Sequence, residues 1–365
     1  MIDVGKFVRT LSEADVSLFA GVPDSLLKNF CAYVTDFCAD RHVIAANEGG
    51  AVALASGHHL ATGKLACVYM QNSGEGNAVN PLASLADPDV YSIPMVLLVG
   101  WRGEPGVRDE PQHAKQGKIT VTLLETMGIP TEVLPDDEYA ALEIVRRSAQ
   151  RAKAESRPVA LIVRKGLFGE YVLQNKRPDI AETKREAAIE DVLAKLPSDA
   201  VVVSTTGMIS REVYETRERL RSKVEVEEGG SCHARDFLTV GSMGHALMIA
   251  LGIARAQPNR PVWCLDGDGA SVMQMGNMAI AGQSGCGNLT HVVFNNAAHD
   301  SVGGQPTVGG AIDLKAIAKA CGYDRPGSPL FLELRVAKGA RKDLGRPKEP
   351  PQVNKNLFMK TLGAK

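Results

Sequence analysis

The chain has 365 residues and a mass of 38.9 kDa, enough for two domains of ordinary size. Its 41 basic and 42 acidic side chains leave a net charge of -1, which argues against nucleic acid as a main partner. Apolar stretches such as Ile93–Val99 are far too short to cross a bilayer, and Met1–Lys6 holds no signal-peptide core. Seven cysteines without a Cys-x-x-Cys pair read as reduced thiols of a cytoplasmic protein rather than a disulfide framework.

Strand-like and helix-like segments alternate along the chain. Val16–Ala20 is a β-branched and aromatic run that ends in the turn Gly21-Val22-Pro23-Asp24, and the spacing predicts a helix over Ser25–Val34. Val43–Ala46 is a second apolar run, followed by Asn47-Glu48-Gly49-Gly50 and an Ala-rich helix. Leu65–Met70, Pro94–Gly100 and Val159–Val163 read as buried strands, with an amphipathic helix over Glu138–Glu155. The polar stretch around Gly169–Glu186 reads as a linker. Beyond it come further strands at Val201–Ser204, Val224–Val226, Pro261–Leu265, Leu289–Phe294 and Leu330–Val336, and a short tail helix at Asn356–Leu362. The expected organisation is a first domain over 1–170, a linker over 171–188 and a second domain over 189–365. Both are α/β, with a doubly wound parallel sheet covered by helices on two faces.

The most informative stretch is Leu265-Asp266-Gly267-Asp268-Gly269-Ala270, followed by a Met-rich helix over roughly Ser271–Gly282 and then Phe294-Asn295-Asn296. In a right-handed parallel crossover both loops emerge at one carboxyl edge of the sheet. Neighbouring strands lie ~4.8 Å apart, so Asp268 and Asn296 would share one hard cation, an oxygen-only set that suits Mg²⁺ or Ca²⁺. A dinucleotide fingerprint requires a third glycine where Val272 stands, and no Gly-Lys-Ser/Thr loop is present. A plain helix cap would explain Asp268 alone, but not the paired asparagines at the end of the next strand.

Gly267-Asp268-Gly269 followed by Asn295-Asn296 resembles the signature of the thiamin-diphosphate enzyme family. The resemblance implies that Asp268, Asn296 and the carbonyl of Ala298 hold Mg²⁺. Gly267, Gly269 and Ala270 would line the diphosphate, and Asn295 would be structural. It further implies that Glu48 bonds the cofactor's pyrimidine ring and helps remove the proton from C2 of the thiazolium. Met243, in Gly241-Ser242-Met243-Gly244-His245, would bend the cofactor. In relatives the two halves of one site come from different subunits, so a homo-oligomer with active sites at subunit interfaces is expected, without nucleic acid or membrane partners.

Over nearly all of both domains the resemblance narrows to decarboxylases of small 2-oxo acids bearing a second anionic group. The segments that carry it are Gly21–Ser25, Gln71–Asn77, Trp101–Gly103, Asp109–His113 and Asn296–Pro306. It implies loss of CO₂ from a phosphonate-bearing 2-oxo acid. A sulfonate-bearing one, or a cofactor-binding homologue without turnover, is the alternative. A cation facing the carboxylate that departs would stabilise the ground state, whereas one facing the phosphonate assists binding throughout. Ser25, Arg102 and Arg108 are the candidate substrate contacts. Asp24, His113 and His299 join Glu48 as candidate catalytic groups. Adjacent His58 and His59 point to different sides of a helix and are read as structural or interface residues. Between the helix expected over Asp313–Gly322 and the strand expected over Gly327–Val336, the family has a further strand-helix unit. Here only Tyr323–Pro326 intervenes.

Overall fold

The computed structural model describes residues 1–220 and 231–364, and the chain divides into two compact units. The first comprises Met1–Lys176 with Ser301–Gln305, the second Arg177–Asp300 with Pro306–Lys365.

The first unit holds strands β1 Val16–Gly21, β2 His42–Ile44, β3 Leu65–Gln71, β4 Met95–Gly100, β5 Thr131–Val133 and β6 Pro158–Val163. They form one sheet in the order β2-β1-β3-β4-β6-β5, and every pairing is parallel. Side chains alternate across a strand, and here both faces are covered. Val96 and Leu98 of β4 enter one apolar cluster, while Met95, Leu97 and Val99 enter the other. The chain steps from β1 outward to β2 and then back across to β3. That reversal between β1 and β3 opens a crevice at the carboxyl ends of the strands.

The second unit holds β7 Val201–Ser204, β8 Asp236–Leu238, β9 Val262–Gly267, β10 Leu289–Asn295, the two-residue strands β11 Ala298–His299 and β12 Gln305–Pro306, and β13 Leu330–Arg335; in the division above, Gln305 counts with the first unit. Its parallel sheet runs β13-β10-β9-β7-β8. Here the reversal falls between β7 and β9, so the loop after β9, which carries Asp268, leaves from the crevice. Strands β9 and β10 are direct neighbours, with Gly267 opposite Phe294.

Several expectations need correction. The Met-rich helix is two helices, Asp268–Met273 and Gly276–Gly282, interrupted at Gln274 and Met275. Its first turn starts at Asp268 itself, not at Ser271. The helix after β1 starts at Lys28, because Asp24 accepts from the backbone N–H groups of Leu26 and Leu27 and holds those residues in a turn. The tail helix spans Pro351–Thr361, and a helix over Arg185–Ala194 begins inside the stretch expected as linker. The helices Val4–Glu13 and Ala114–Thr126 and the three-residue strands β5 and β8 were not expected. Val224–Val226 lies outside the described residues.

Candidate functional site

In the second unit the ends of β9 and β10 bring Asp268 and Asn296 together. The backbone N–H of Asn296 donates to the Asp268 carboxylate, as do the Thr307 hydroxyl and the N–H of Gly269. Asp268 is 3% exposed, and burial pushes its carboxyl up to about 6 against those hydrogen bonds. No ion pair to Asp268 is found among the described residues. A buried carboxylate without a cationic partner is what a metal ion would complete. A Cβ on Gly309 would stand 2.5 Å from Asp268 Oδ2, so only a bare backbone fits there. Asn296 is buried, its Oδ1 accepts the N–H of Ala298 at 3.0 Å, and its Nδ2 donates to Asp300 at 2.6 Å. Asn295 ties the loop down by donating to the Gly309 carbonyl at 2.7 Å and to Glu333 at 2.8 Å. Between the asparagines and Ala298, Ala297 adopts φ 56°, a left-handed turn rare for a residue with a Cβ. This oxygen-rich donor set fits a hard divalent cation.

The segment that carries Met243 lies against the same helix. A Cβ on Gly244 would meet Gln274 Cγ at 2.7 Å and the Ala270 carbonyl at 3.2 Å, and Gly244 has φ 85°. Met243 itself is half-buried. His299 approaches Gly269, where a Cβ would meet its Cε1 at 3.1 Å, and burial lowers its imidazole to about 4.

In the first unit Glu48 opens the helix Glu48–Thr62, capped by the Asn47 side chain, which accepts from the Gly50 N–H. Glu48 is 4% exposed, and burial raises its carboxyl above the usual range, opposed by a 2.7 Å hydrogen bond from Asn77 to Oε2. Its other oxygen lies over Gly74, where a Cβ would come within 2.2 Å. The sequence motif Gln71–Asn77 therefore serves this carboxyl through two residues whose roles no spacing rule reveals.

Asp24, Ser25 and Arg102 converge at the carboxyl ends of β1 and β4. Asp24 is fully buried over Gly100, where a Cβ would meet its Oδ2 at 2.2 Å, and burial pushes its carboxyl up to about 6. Arg102 donates through Nη1 to Ser25 Oγ at 2.7 Å and through Nε to Asp109 at 2.8 Å. Burial acts to raise the Asp109 carboxyl, but the bonds from Arg102 and from the N–H groups of Glu110 and Gly103 outweigh it and hold it below the usual range. Arg102 is thus no free loop cation: Asp109, whose role no motif in the sequence signals, already claims its guanidinium fork. Arg108 remains exposed. His113 is buried with Nδ1 unpartnered, and burial followed by the Arg102 charge lowers its imidazole. His58 bonds Ser17 at 2.7 Å, in keeping with a structural role.

Residues 5–124 match the N-terminal TPP binding domain of the thiamine pyrophosphate enzymes, and residues 222–337 match their C-terminal TPP binding domain. Fold and site thus define a thiamin-diphosphate enzyme. A phosphonopyruvate decarboxylase from Streptomyces viridochromogenes is 36% identical over 388 aligned residues, covering 96% of this chain and 92% of that protein. A second, from Streptomyces hygroscopicus, is 34% identical with the same coverage. The sulfopyruvate decarboxylase subunit beta of Methanothermobacter thermautotrophicus is 35% identical over 39% of this chain and 68% of its own length. The chain belongs to the phosphonopyruvate decarboxylase family, thiamin-diphosphate-dependent carboxy-lyases.

Proposed function

We propose that the protein converts phosphonopyruvate to phosphonoacetaldehyde and CO₂ with thiamin diphosphate and Mg²⁺, a step of phosphonate biosynthesis in the cytoplasm. One observation carries the cofactor reading: Asp268 and Asn296 meet at neighbouring strand ends, around a buried carboxylate whose charge no described side chain neutralises. The substrate reading rests on the two Streptomyces relatives. The absence of a disulfide among the seven cysteines, all of them described residues, supports the compartment.

Asp268, the Asn296 carboxamide oxygen and the Ala298 carbonyl would hold the cation, which anchors the diphosphate. When bound, thiamin diphosphate would supply a carbon nucleophile and a cationic ring that takes up the electron pair released as CO₂ leaves. Glu48, whose carboxyl keeps its proton more readily than an exposed glutamate, would hold a proton against the cofactor's pyrimidine ring. Met243 would set the bend of the cofactor. His113 and His299 favour the neutral imidazole near pH 7, the form that both donates and accepts. Asp24, a buried carboxyl that keeps its proton up to about pH 6, would be a third proton-handling group. Ser25, Arg102 and Arg108 would face the phosphonate, which keeps its charge throughout, so their attraction does not oppose CO₂ loss. In the balanced reaction the substrate's carboxylate carbon departs as CO₂, and one proton replaces it on the aldehyde carbon.

The division at 1–170, 171–188 and 189–365 then corresponds to a pyrimidine-binding domain, a linker and a diphosphate-binding domain. A homo-oligomer with each site shared between subunits completes the proposal, and the subunit naming of the sulfopyruvate relative supports an assembly of chains. That relative also favours a second reading, sulfopyruvate as substrate, since a sulfonate presents a similar tetrahedral anion. The deciding experiment offers both keto acids to purified protein with Mg²⁺ and thiamin diphosphate, and measures CO₂ and aldehyde. Faster release from phosphonopyruvate is expected. Preference for the sulfonate moves the assignment to the second reading. Cofactor binding without CO₂ from either acid leaves a homologue that has lost turnover.

A further inference from the structure

Asn296 stands at the head of a buried polar chain. Its Nδ2 donates to Asp300 Oδ2 at 2.6 Å, and the same oxygen accepts from the Gly339 N–H at 2.8 Å and from Arg185 Nη1 at 3.1 Å. Arg185 is gripped in turn by Glu212, at 2.8 Å through Nε and 3.1 Å through Nη2. Arg185 is 5% exposed, Glu212 1% and the Asp300 side chain 13%.

A carboxamide has two ends of nearly equal size, and only the oxygen can ligate a hard cation. Shape alone does not choose between them; the Ala298 N–H, 3.0 Å from Oδ1, and Asp300 on the other side do. A carboxylate only accepts hydrogen bonds, so it attracts the NH₂ end and repels the oxygen end. With Asp300 on one side, rotating the Asn296 amide by half a turn would set two oxygens face to face and turn the NH₂ group toward the cation. The fork between Arg185 and Glu212 fixes where the Asp300 carboxylate stands, and a charge-assisted network of this kind holds its geometry against solvent.

We propose that Asp300, held by Arg185, is a positioning residue that fixes the oxygen of Asn296 toward the divalent cation. The inference rests on the reading of Asp268 and Asn296 as cation ligands. Its source in the sequence is obscure, because Arg185 and Glu212 lie far from the motif and join it only through folding.

The test titrates Mg²⁺ into full-length protein with saturating thiamin diphosphate and follows binding by calorimetry and tryptophan fluorescence, independent of turnover. The variant is Asp300→Ala, because in an asparagine the Gly339 N–H and Arg185 would still hold an oxygen toward Asn296; removing the acceptor leaves the Ala298 N–H as the remaining hydrogen bond that orders the amide. Loss of such a supporting partner typically costs metal affinity 10- to 100-fold, and about that rise in half-saturating Mg²⁺ is expected. The double variant Asn296→Asp/Asp300→Ala places two equivalent oxygens at position 296 and removes the carboxylate that would repel them. It should recover affinity to within about threefold of the wild type. A purely structural role for Asp300 predicts no such recovery.

Unchanged Mg²⁺ affinity in Asp300→Ala, or a double variant no better than the single one, overturns the proposal. Where the single variant does not fold by circular dichroism, the double variant is compared with the wild type directly, and failure to bind Mg²⁺ or to fold counts against the positioning role. A wild type that binds no thiamin diphosphate with Mg²⁺ sinks the cofactor-site reading instead, so the two failures are distinguishable.

Discussion

Asp24→Asn should make the protein more stable at neutral pH while harming its chemistry. Asp24 is fully buried, and burial lifts its carboxyl from an ordinary 3.8 to about 6 despite the N–H groups that bond it. In the folded state the group therefore holds its proton more tightly than in the unfolded chain. Its contribution to stability is fully present below about pH 4, erodes as pH rises, and is lost above about pH 6. A shift of about two pKa units corresponds to about 3 kcal/mol. The asparagine carries no charge, so it escapes this erosion while an oxygen still accepts from Leu26 and the side chain still covers Gly100. Urea denaturation of both proteins, without cofactor, reads the difference. The stability gap in favour of the variant should widen by about 2 kcal/mol between about pH 4.5 and pH 7.5, then stay flat. A gap that does not change with pH would refute the reasoning, since it would mean that Asp24 does not titrate in the folded state as its burial demands. Turnover of Asp24→Asn should fall in the same samples, the usual exchange where a strained group serves function.

Three further outcomes are expected. Glu48→Gln should retain the rise in melting temperature given by Mg²⁺ and thiamin diphosphate but lose turnover by roughly 10²- to 10⁴-fold, and near-normal rates would remove Glu48 from the mechanism. Gly309→Ala drives a methyl into Asp268 Oδ2, at 2.5 Å, so cofactor-dependent Mg²⁺ binding measured by calorimetry should weaken by at least about tenfold; unchanged binding would mean that the loop is not a close-fitting cradle. Arg102→Lys loses the fork toward Asp109 and the bond to Ser25, and steady-state kinetics should show KM for the keto acid rising about tenfold with kcat within about threefold. A fall in kcat with KM untouched would place Arg102 in the chemistry rather than in substrate binding.

The meeting of Asp268 and Asn296, where we propose the cation, was legible because it is local. Gly267-Asp268-Gly269 and Asn295-Asn296 end two strands joined by one crossover, and period and chirality alone bring such ends together. Glu48 was legible as a carboxyl between a strand and a helix, but its control by Asn77 and Gly74 was not, because contact across a crevice leaves no periodic trace. Likewise Asp109 claims Arg102 from seven residues away inside a loop, where no repeat constrains which charges meet. Strands β5 and β8 escaped notice because three residues are too few for alternation to show. The break at Gln274 and Met275 was invisible for a related reason: apart from Gly276 the composition remains helical across it, and nothing in the spacing marks the close approach of Gly244 to Gln274.

The turn at Ala297 carries a thermodynamic consequence. Its methyl sits where glycine would be more comfortable, at a cost of about 1–2 kcal/mol, and it is accommodated because Gly310 opposite has no side chain; a Cβ there would meet it at 2.9 Å. The same methyl denies the unfolded chain many of the conformations that glycine would allow. The proposed cation would therefore meet a loop part of whose freedom was surrendered when the protein folded.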